Sequence, residues 1–392
     1  MPARRVSLSN DSSRRRLVRH VVALRHHVPR PSICGYILLL CFGLIPRHAG
    51  VAQPQETTER SIQHRAAVAI DGLESWYDQR TGLYRTTGWW NSANAITTLA
   101  DYSKFAHTRA FNSVFTNTFK AAQKTHLGFI NDYYDDEGWW ALAWIAAYDQ
   151  THHEQFLKMA QSIFSDMTGG WNDTCDGGIW WSKKQHYKNA VANELFLSVA
   201  AHLAARAASA RQRSDYLAWA NREWQWFKRS GMINRQHLVN DGLNAHCINN
   251  GGTTWTYNQG VVLGGLAELY FLDGNRALLA EANAIASAAL SDSALVDKDG
   301  VLHEPCEPKC GADGTQFKGI FVRNLEELHS IAGSPQYKNF IVINADSIWN
   351  GARPPDYHLG LIWAAPYGEA DASTQSSAAD ALVAAMQIAD GH

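Results

Sequence analysis

Asp135 and Asp136 stand side by side in the densest polar stretch of the chain, Asn131-Asp132-Tyr133-Tyr134-Asp135-Asp136-Glu137-Gly138. Two carboxyls held close cannot both ionise easily, so one proton affinity rises and the other falls. One ionised and one protonated carboxyl is the pair that glycosidic-bond cleavage uses. Separations of about 5 Å suit a nucleophile and an acid; about 6.5–9.5 Å leaves room for a water instead. Neighbours in an irregular loop can adopt the shorter spacing. The competing reading is a helix cap, because Asp and Glu favour the first turn. A calcium loop does not fit the twelve-residue ligand spacing. Asp297-Lys298-Asp299-Gly300 lacks the downstream Glu and reads as a surface turn. No metal or cofactor is expected.

Tryptophan is the second signal. The 392 residues include 15 Trp, while charged residues make up only 18%. That combination excludes a disordered chain, which needs few aromatics and high charge. Gly88-Trp89-Trp90-Asn91, Gly138-Trp139-Trp140 and Ile179-Trp180-Trp181 form pairs, and Trp255 with Tyr257 makes a fourth aromatic site. Aromatic faces with Asp, Asn and Gln between them suit sugar rings and their hydroxyls. About half of these Trp are expected to pack hairpins together, since Trp is usually well buried.

The elements that must position these groups are helices. Trp140, Ala143, Trp144, Ala147 and Tyr148 recur at helical spacing. The opposite face, with Leu142 and Ala146, is also apolar, which marks a buried helix. Buried helices are predicted at Asn91–Tyr102, Gly138–Tyr148, Asn189–Arg206, Asn258–Tyr270, Gln316–Ile331 and Thr374–Met386. Amphipathic ones alternate with them at Ser61–Trp76, Asn112–Thr125, His153–Met167, Gln212–Arg229, Arg276–Ser291 and Pro335–Trp349. The result is an all-α chain of six helical hairpins at irregular spacing. An apolar inner helix in every hairpin points to closure into an (α/α)6 toroid, because an open solenoid would expose that face or need polar caps. The Trp pairs then gather on one rim. The Gly-rich stretches at 241–252 and 299–314 are long connections of the kind that often carry function.

Residues 1–52 read as a basic leader and signal peptide, with 53–392 as a single domain. An Arg- and His-rich stretch precedes an apolar run, Ile33 to Ile45, and small residues follow Pro46. The run is short of the roughly 20 residues of a membrane span. The leader holds nine Arg, no Lys and one Asp, a net of +8, against −2 for the whole chain. The remainder is therefore at −10, which argues against nucleic-acid binding. A secreted monomer with no stable membrane anchor is expected. Beyond the leader lie Cys175, Cys247, Cys306 and Cys310. Four Cys allow three pairings; Cys306 and Cys310 are close enough for a small loop, leaving Cys175 with Cys247. Asn172-Asp173-Thr174 is a glycosylation sequon if the chain is secreted.

Tyr134-Asp135-Asp136-Glu137-Gly138-Trp139-Trp140 resembles the paired-Asp motif of glycoside hydrolase family 76, the endo-α-1,6-mannanases. Cys175-Asp176-Gly177-Gly178-Ile179-Trp180-Trp181 and Tyr187-Lys188-Asn189-Ala190-Val191-Ala192-Asn193-Glu194-Leu195 resemble its third-hairpin motifs. Thr256-Tyr257-Asn258-Gln259-Gly260 resembles the fourth, and Phe317-Lys318-Gly319-Ile320-Phe321-Val322-Arg323-Asn324-Leu325 the fifth. The resemblance implies an (α/α)6 barrel and a retaining endo-α-1,6-mannosidase acting on α-1,6-linked mannan. It makes Asp135 the nucleophile and Asp136 the general acid/base; Glu137 next door is expected to help keep a proton on Asp136 by like-charge repulsion. Trp139, Trp140, Asn193, Asp241, Tyr257, Asn258, Gln259 and Arg323 become candidate mannose contacts. For the polar six, a capping or hairpin-packing role competes. Glu194 is expected to pair with Lys188 or Arg323, and His246 and His303 to be surface residues. Two other functions compete: a cell-wall mannan or anchor-glycan transglycosidase, and a non-catalytic mannan-binding protein. Transglycosidase relatives carry a lipid anchor, whose signal is a hydrophobic tail; Gln387-Ile388-Ala389-Asp390-Gly391-His392 is not one.

Overall fold

The computed structural model describes residues 54–392 except 352, 365, 367, 390 and 392, with side chains from 61 onward. The basic leader lies outside the described residues. Twelve long helices alternate as the hydrophobic pattern requires. They are α1 (Pro54–Glu74), α2 (Trp89–Phe105), α3 (Asn112–Ala121), α4 (Tyr134–Thr151), α5 (Glu154–Met167) and α6 (Ala190–Ala205). The second half holds α7 (Ala210–Ser230), α8 (Thr256–Asp273), α9 (Arg276–Ser291), α10 (Phe317–Ala332), α11 (Pro335–Asn350) and α12 (Ala372–Ala389). Among the described residues, strand structure amounts to one two-residue antiparallel pair, Tyr77–Asp78 with Leu83–Tyr84, and isolated bridges.

Several helix boundaries have a local cause. Asn189 and Ser209 cap α6 and α7 by accepting from the backbone N–H of Ala192 and Gln212. Pro335 opens α11, where its missing N–H costs nothing. Gly274 and Gly333 end α8 and α10 in the left-handed conformation that only glycine adopts without steric cost.

The even-numbered helices form a closed inner ring. α2 packs on α4, α4 on α6, α6 on α8, α8 on α10, α10 on α12, and α12 returns to α2. The chain is thus an (α/α)6 toroid. Inner helices are nearly continuous in burial: from Ala190 to Ala204 only His202 is not buried. Close approach of inner helices depends on missing side chains. A Cβ on Gly319 of α10 would lie 2.4 Å from the Ser377 carbonyl oxygen and 2.5 Å from its Cα on α12. The Gly319 N–H donates to Ser377 Oγ at 2.8 Å across the same contact.

Disulfides join Cys175 to Cys247 and Cys306 to Cys310. The first ties the loop after α5 to the loop after α7. The second closes a small loop just before α10.

Gly319→Ala tests the ring contact. In an ordinary helix interior the change would gain up to about 1 kcal/mol. Here the new methyl meets backbone, so a loss of about 1–3 kcal/mol is expected. Urea unfolding midpoints of the two proteins check the sign.

Candidate active site

The inner helices point their N-termini at one end of the ring, and a cleft of about 610 Å³ opens there. It is lined by Asp135, Asp136 and Trp139 of α4, Trp90 of α2, Tyr257 of α8 and Phe317 of α10. Connecting segments add Tyr133, Trp181, Tyr187, Asn189, Asp241, Trp255, Cys310, Asp313 and Gly314. No Lys or Arg is among these lining residues.

The paired aspartates do not sit in a loop ahead of the helix. α4 begins at Tyr134, four residues before the expected start, so Asp135 and Asp136 occupy its first turn. The positive end of the helix dipole and unpaired N–H groups favour acids there. First-turn placement and catalytic candidacy therefore coincide in the same residues, while no side chain caps α4.

The surrounding loops clamp this turn. Tyr134 N–H donates to the Trp181 carbonyl at 2.9 Å, and Lys183 N–H to the Asp132 carbonyl at 2.9 Å. The Trp181 indole N–H then donates to Asp135 Oδ2 at 2.9 Å. Asn131 Nδ2 donates to Asp136 Oδ2 at 2.6 Å. The loop bearing Trp181 is held from below. Buried Lys188 donates to the carbonyls of Thr174 and Gly177, each at 2.6 Å, and of Gly178 at 3.0 Å. Burial pushes the Lys188 ammonium down to about 8. Asn193 pins the same loop through both the N–H and the carbonyl of Ile179.

Burial dominates the electrostatics of the pair. Desolvation, then the neighbouring Asp136 charge, pushes Asp135 up to about 8. Desolvation also pushes Asp136 up to about 6, opposed by the Asn131 bond and helped by the Asp313 charge. Two carboxyls this close titrate as one unit, so these steps belong to the pair. Burial raises Asp135 more than Asp136, whereas the roles implied by the family resemblance put the catalytic proton on Asp136.

Several sequence-derived residues fall elsewhere. Consecutive helical residues point about 100° apart, so Trp139 lines the cleft while Trp140 is fully buried against Trp89 and Phe129. The other pairs divide similarly: Trp90 and Trp181 face the cleft, while Trp89 packs on Phe129 and Trp180 covers Lys188. Asn193 holds a loop, as above. Gln259 does the same for Val239, through both the N–H and the carbonyl at 2.8 Å. Asn258 is fully buried in the first turn of α8. Arg323 pairs with Asp380 at 3.1 Å and with Asn94, and lines a separate cavity between the C-terminal halves of the inner helices. Asp241 and Tyr257 do reach the cleft. Asp241 accepts from Tyr187 at 2.5 Å, and Tyr257 stacks on Phe317 at 3.8 Å.

Two charge assignments change. Glu137 points away from its neighbours into the core, where Lys183 meets it at 2.8 Å. It does not serve to hold a proton on Asp136. Glu194 pairs with neither Lys188 nor Arg323; burial raises its pKa well above the ordinary carboxylate range. His246 is exposed and His303 half-buried. Tyr133, Tyr187, Asn189, Asp313 and Phe317 were not singled out as site residues. Their common signal is position: each lies within a few residues of an inner-helix N-terminus.

A closed ring of helical hairpins with an acidic pair on the floor of an aromatic cleft is a glycoside-hydrolase architecture. Glycosyl hydrolase family 76 matches residues 61–390, and the chain belongs to that family. A mannan endo-1,6-α-mannosidase of Eremothecium gossypii is 29% identical over 312 residues, 68% of this chain and 64% of the relative. A putative mannan endo-1,6-α-mannosidase of Schizosaccharomyces pombe is 27% identical over 297 residues, 69% of this chain and 65% of the relative. The match thus spans a little under two thirds of these relatives' length. Among solved structures, a Listeria innocua protein superposes with a TM-score of 0.75 at 26% identity, covering 84% of this chain and 98% of that one. An α-1,6-mannanase of Salegentibacter, inactivated by replacing two consecutive aspartates with alanine and bound to α-1,6-mannotetrose, superposes with a TM-score of 0.76. It is 23% identical and covers 83% of this chain and 98% of that one.

Trp181→Phe tests the clamp on Asp135. Losing a donor to the ionised form should raise the upper step of the pair, by about one pKa unit for a charge-assisted bond. Carboxyl carbon NMR titration of the ¹³C-Asp protein reads it. An unmoved upper step would show that the indole does not hold Asp135.

Proposed function

We propose that this protein is a secreted, retaining endo-α-1,6-mannosidase that hydrolyses the backbone of α-1,6-linked mannan. The observation that carries this reading is the adjacent pair Asp135 and Asp136, both raised by burial, in an aromatic cleft. The family and the named activity of its relatives supply the sugar and the linkage. The two disulfides suit an oxidising compartment. Among the described residues no helix is long and apolar enough to cross a membrane.

The chemistry follows a double displacement. Asp135 attacks C1 of a mannosyl unit and forms a C1–O ester bond. The C1–O6 bond breaks, its electron pair stays on the leaving oxygen, and Asp136 delivers a proton there. Asp136, now ionised, takes a proton from water. The water oxygen attacks C1, the ester breaks, and Asp135 returns as carboxylate. Trp90, Trp139, Trp181, Trp255 and Tyr257 offer ring faces to the apolar sides of successive sugars. Asp241 and Tyr187 offer hydrogen bonds to hydroxyls. Both ends of the pH range remove an essential form. Below about 6 the pair is fully protonated and lacks a nucleophile; above about 8 it is fully ionised and lacks an acid.

Linear α-1,6-mannooligosaccharides test the reading. Shorter products with initial α-anomer are expected, and initial β-anomer would rule out retention. Products longer than the substrate would assign transfer to cell-wall glycan in place of hydrolysis. Binding without any product would leave only a mannan-binding protein. Asp136→Asn should nearly abolish turnover while unfolding stability stays within about 1 kcal/mol. A separate measurement, kcat/KM against pH, should give a bell centred near 7.

A further inference from the structure

This inference rests on the double-displacement reading, in which Asp136 delivers a proton to the leaving oxygen and later takes one from water. An acid of that kind works only if its proton-bearing oxygen faces the bond that breaks. Asp136 sits in the first turn of α4, where the carboxyl of an aspartate can still rotate. A neighbouring group must choose which of its two oxygens meets the sugar.

Asn131 has the position to do so. Its Nδ2 donates to Asp136 Oδ2 at 2.6 Å. The amide is oriented from its other side as well: the Tyr133 N–H donates to Asn131 Oδ1 at 2.8 Å, closing an Asx turn. A flipped amide would set Nδ2 against the Tyr133 N–H and Oδ1 against the Asp136 carboxylate, losing both bonds. The segment is pinned on both sides. Two residues upstream, Phe129 is fully buried, its ring 4.7 Å from that of Trp140 and 5.8 Å from that of Trp89. Downstream, Tyr133 bridges to Ser182, and the Lys183 N–H donates to the Asp132 carbonyl at 2.9 Å. The buried members of two Trp pairs thus seat the segment that carries Asn131.

We propose that Asn131 is a positioning residue that makes Oδ1 of Asp136 the proton-carrying oxygen and steadies the charge left behind when that proton departs. Oδ2 is committed to the Asn131 N–H and Asp136 lines the cleft, so Oδ1 is the oxygen left for the substrate. A hydrogen bond to a carboxylate is stronger than one to the neutral acid. The Asn131 bond therefore tightens as the proton passes from Oδ1 to the leaving oxygen. In the second displacement the same bond keeps Oδ1 turned toward the attacking water. Asn131 touches neither bond that breaks; it acts through Asp136. Among the described residues it is the one side chain that hydrogen-bonds Asp136. The charged groups that share the cleft with the acid are Asp135, Asp241 and Asp313, the last held by the Trp90 indole N–H at 3.0 Å. Replacing a neutral amide leaves all three in place.

The test is Asn131→Ser in the full chain. Ser keeps an acceptor for the Tyr133 N–H, as in other hydroxyl turns, but is too short to reach Asp136. On α-1,6-mannotetraose kcat/KM should fall about 100-fold, the cost of a misplaced catalytic group. On an aryl α-1,6-mannobioside with a dinitrophenolate leaving group, which needs no proton, kcat/KM should stay near the wild-type value. This ratio reports the first displacement, so the later need for a base does not enter it. Equal losses on both substrates would make Asn131 a merely structural residue and overturn the proposal. Carboxyl carbon titration of the substrate-free protein should show the lower step of the aspartate pair raised by about one pKa unit, because the donor to the ionised form is gone. Asn131→Asp, with the same shape but no donor, should raise that step at least as far. An unmoved step in Asn131→Ser would also overturn the proposal. The titration needs no substrate, so it decides the role of Asn131 even if the wild-type protein cleaves neither glycoside, a result that would count against the mannosidase reading alone.

Discussion

Everything at the cleft depends on closure of the inner helical ring. α12 must return to α2 across almost the whole chain. Thr98 donates to Asp380 at 2.7 Å, and Arg323 bridges Asp380 and Asn94, so α2, α10 and α12 are joined by one buried polar network. Near the rim, Ala372 N–H donates to Thr86 Oγ1 at 3.1 Å. These groups are short of alternatives in the interior, and leaving any of them unpaired would cost about 1–3 kcal/mol. Closure also brings the helix N-termini to one end. That convergence gathers residues as far apart as Trp90 and Phe317 into one wall.

The ring supplies direction, and the connecting loops supply placement. Lys188 and Asn193 are hidden, yet they shape the loop that sends Trp181 to Asp135. Gln259 does the same for the segment carrying Asp241. Buried polar side chains that complete a loop's backbone hydrogen bonds make that loop rigid. Residues that looked like sugar contacts in sequence thereby act one step behind the cleft. The tryptophans also take two duties. Their faces line the cleft, while the N–H groups of Trp181 and Trp90 each grip a carboxylate.

The electrostatics has a consistent sense. The cleft is lined by Asp135, Asp136, Asp241 and Asp313 with no cation among the lining residues, and burial raises the affinity of the pair for a proton. Backbone N–H groups in the first turn of α4 moderate that rise at Asp135 without cancelling it. Raised proton affinity in an acidic, cation-free lining is the electrostatic setting that acid-assisted cleavage of a neutral glycan needs.

Much of this was legible in the sequence, and the limit is physical. Helical periodicity is a local property, so all six buried helices, their amphipathic partners and their order could be read from spacing. The apolar inner face of every hairpin already pointed to closure. The adjacent aspartates announced themselves by charge alone. Boundaries were less legible: α4 starts at Tyr134 because first-turn acids are favourable, and hydrophobic spacing carries no trace of that. What only the tertiary structure decided is which way each side chain faces. Trp139 and Trp140 are neighbours of the same type, but one meets the cleft and the other Trp89 and Phe129. Glu137 follows Asp136 in sequence, yet its partner is Lys183. Asp313 stands 177 positions from Asp136 and shares its cleft. Such facing depends on partners distant along the chain, and only a closed ring brings those partners within reach.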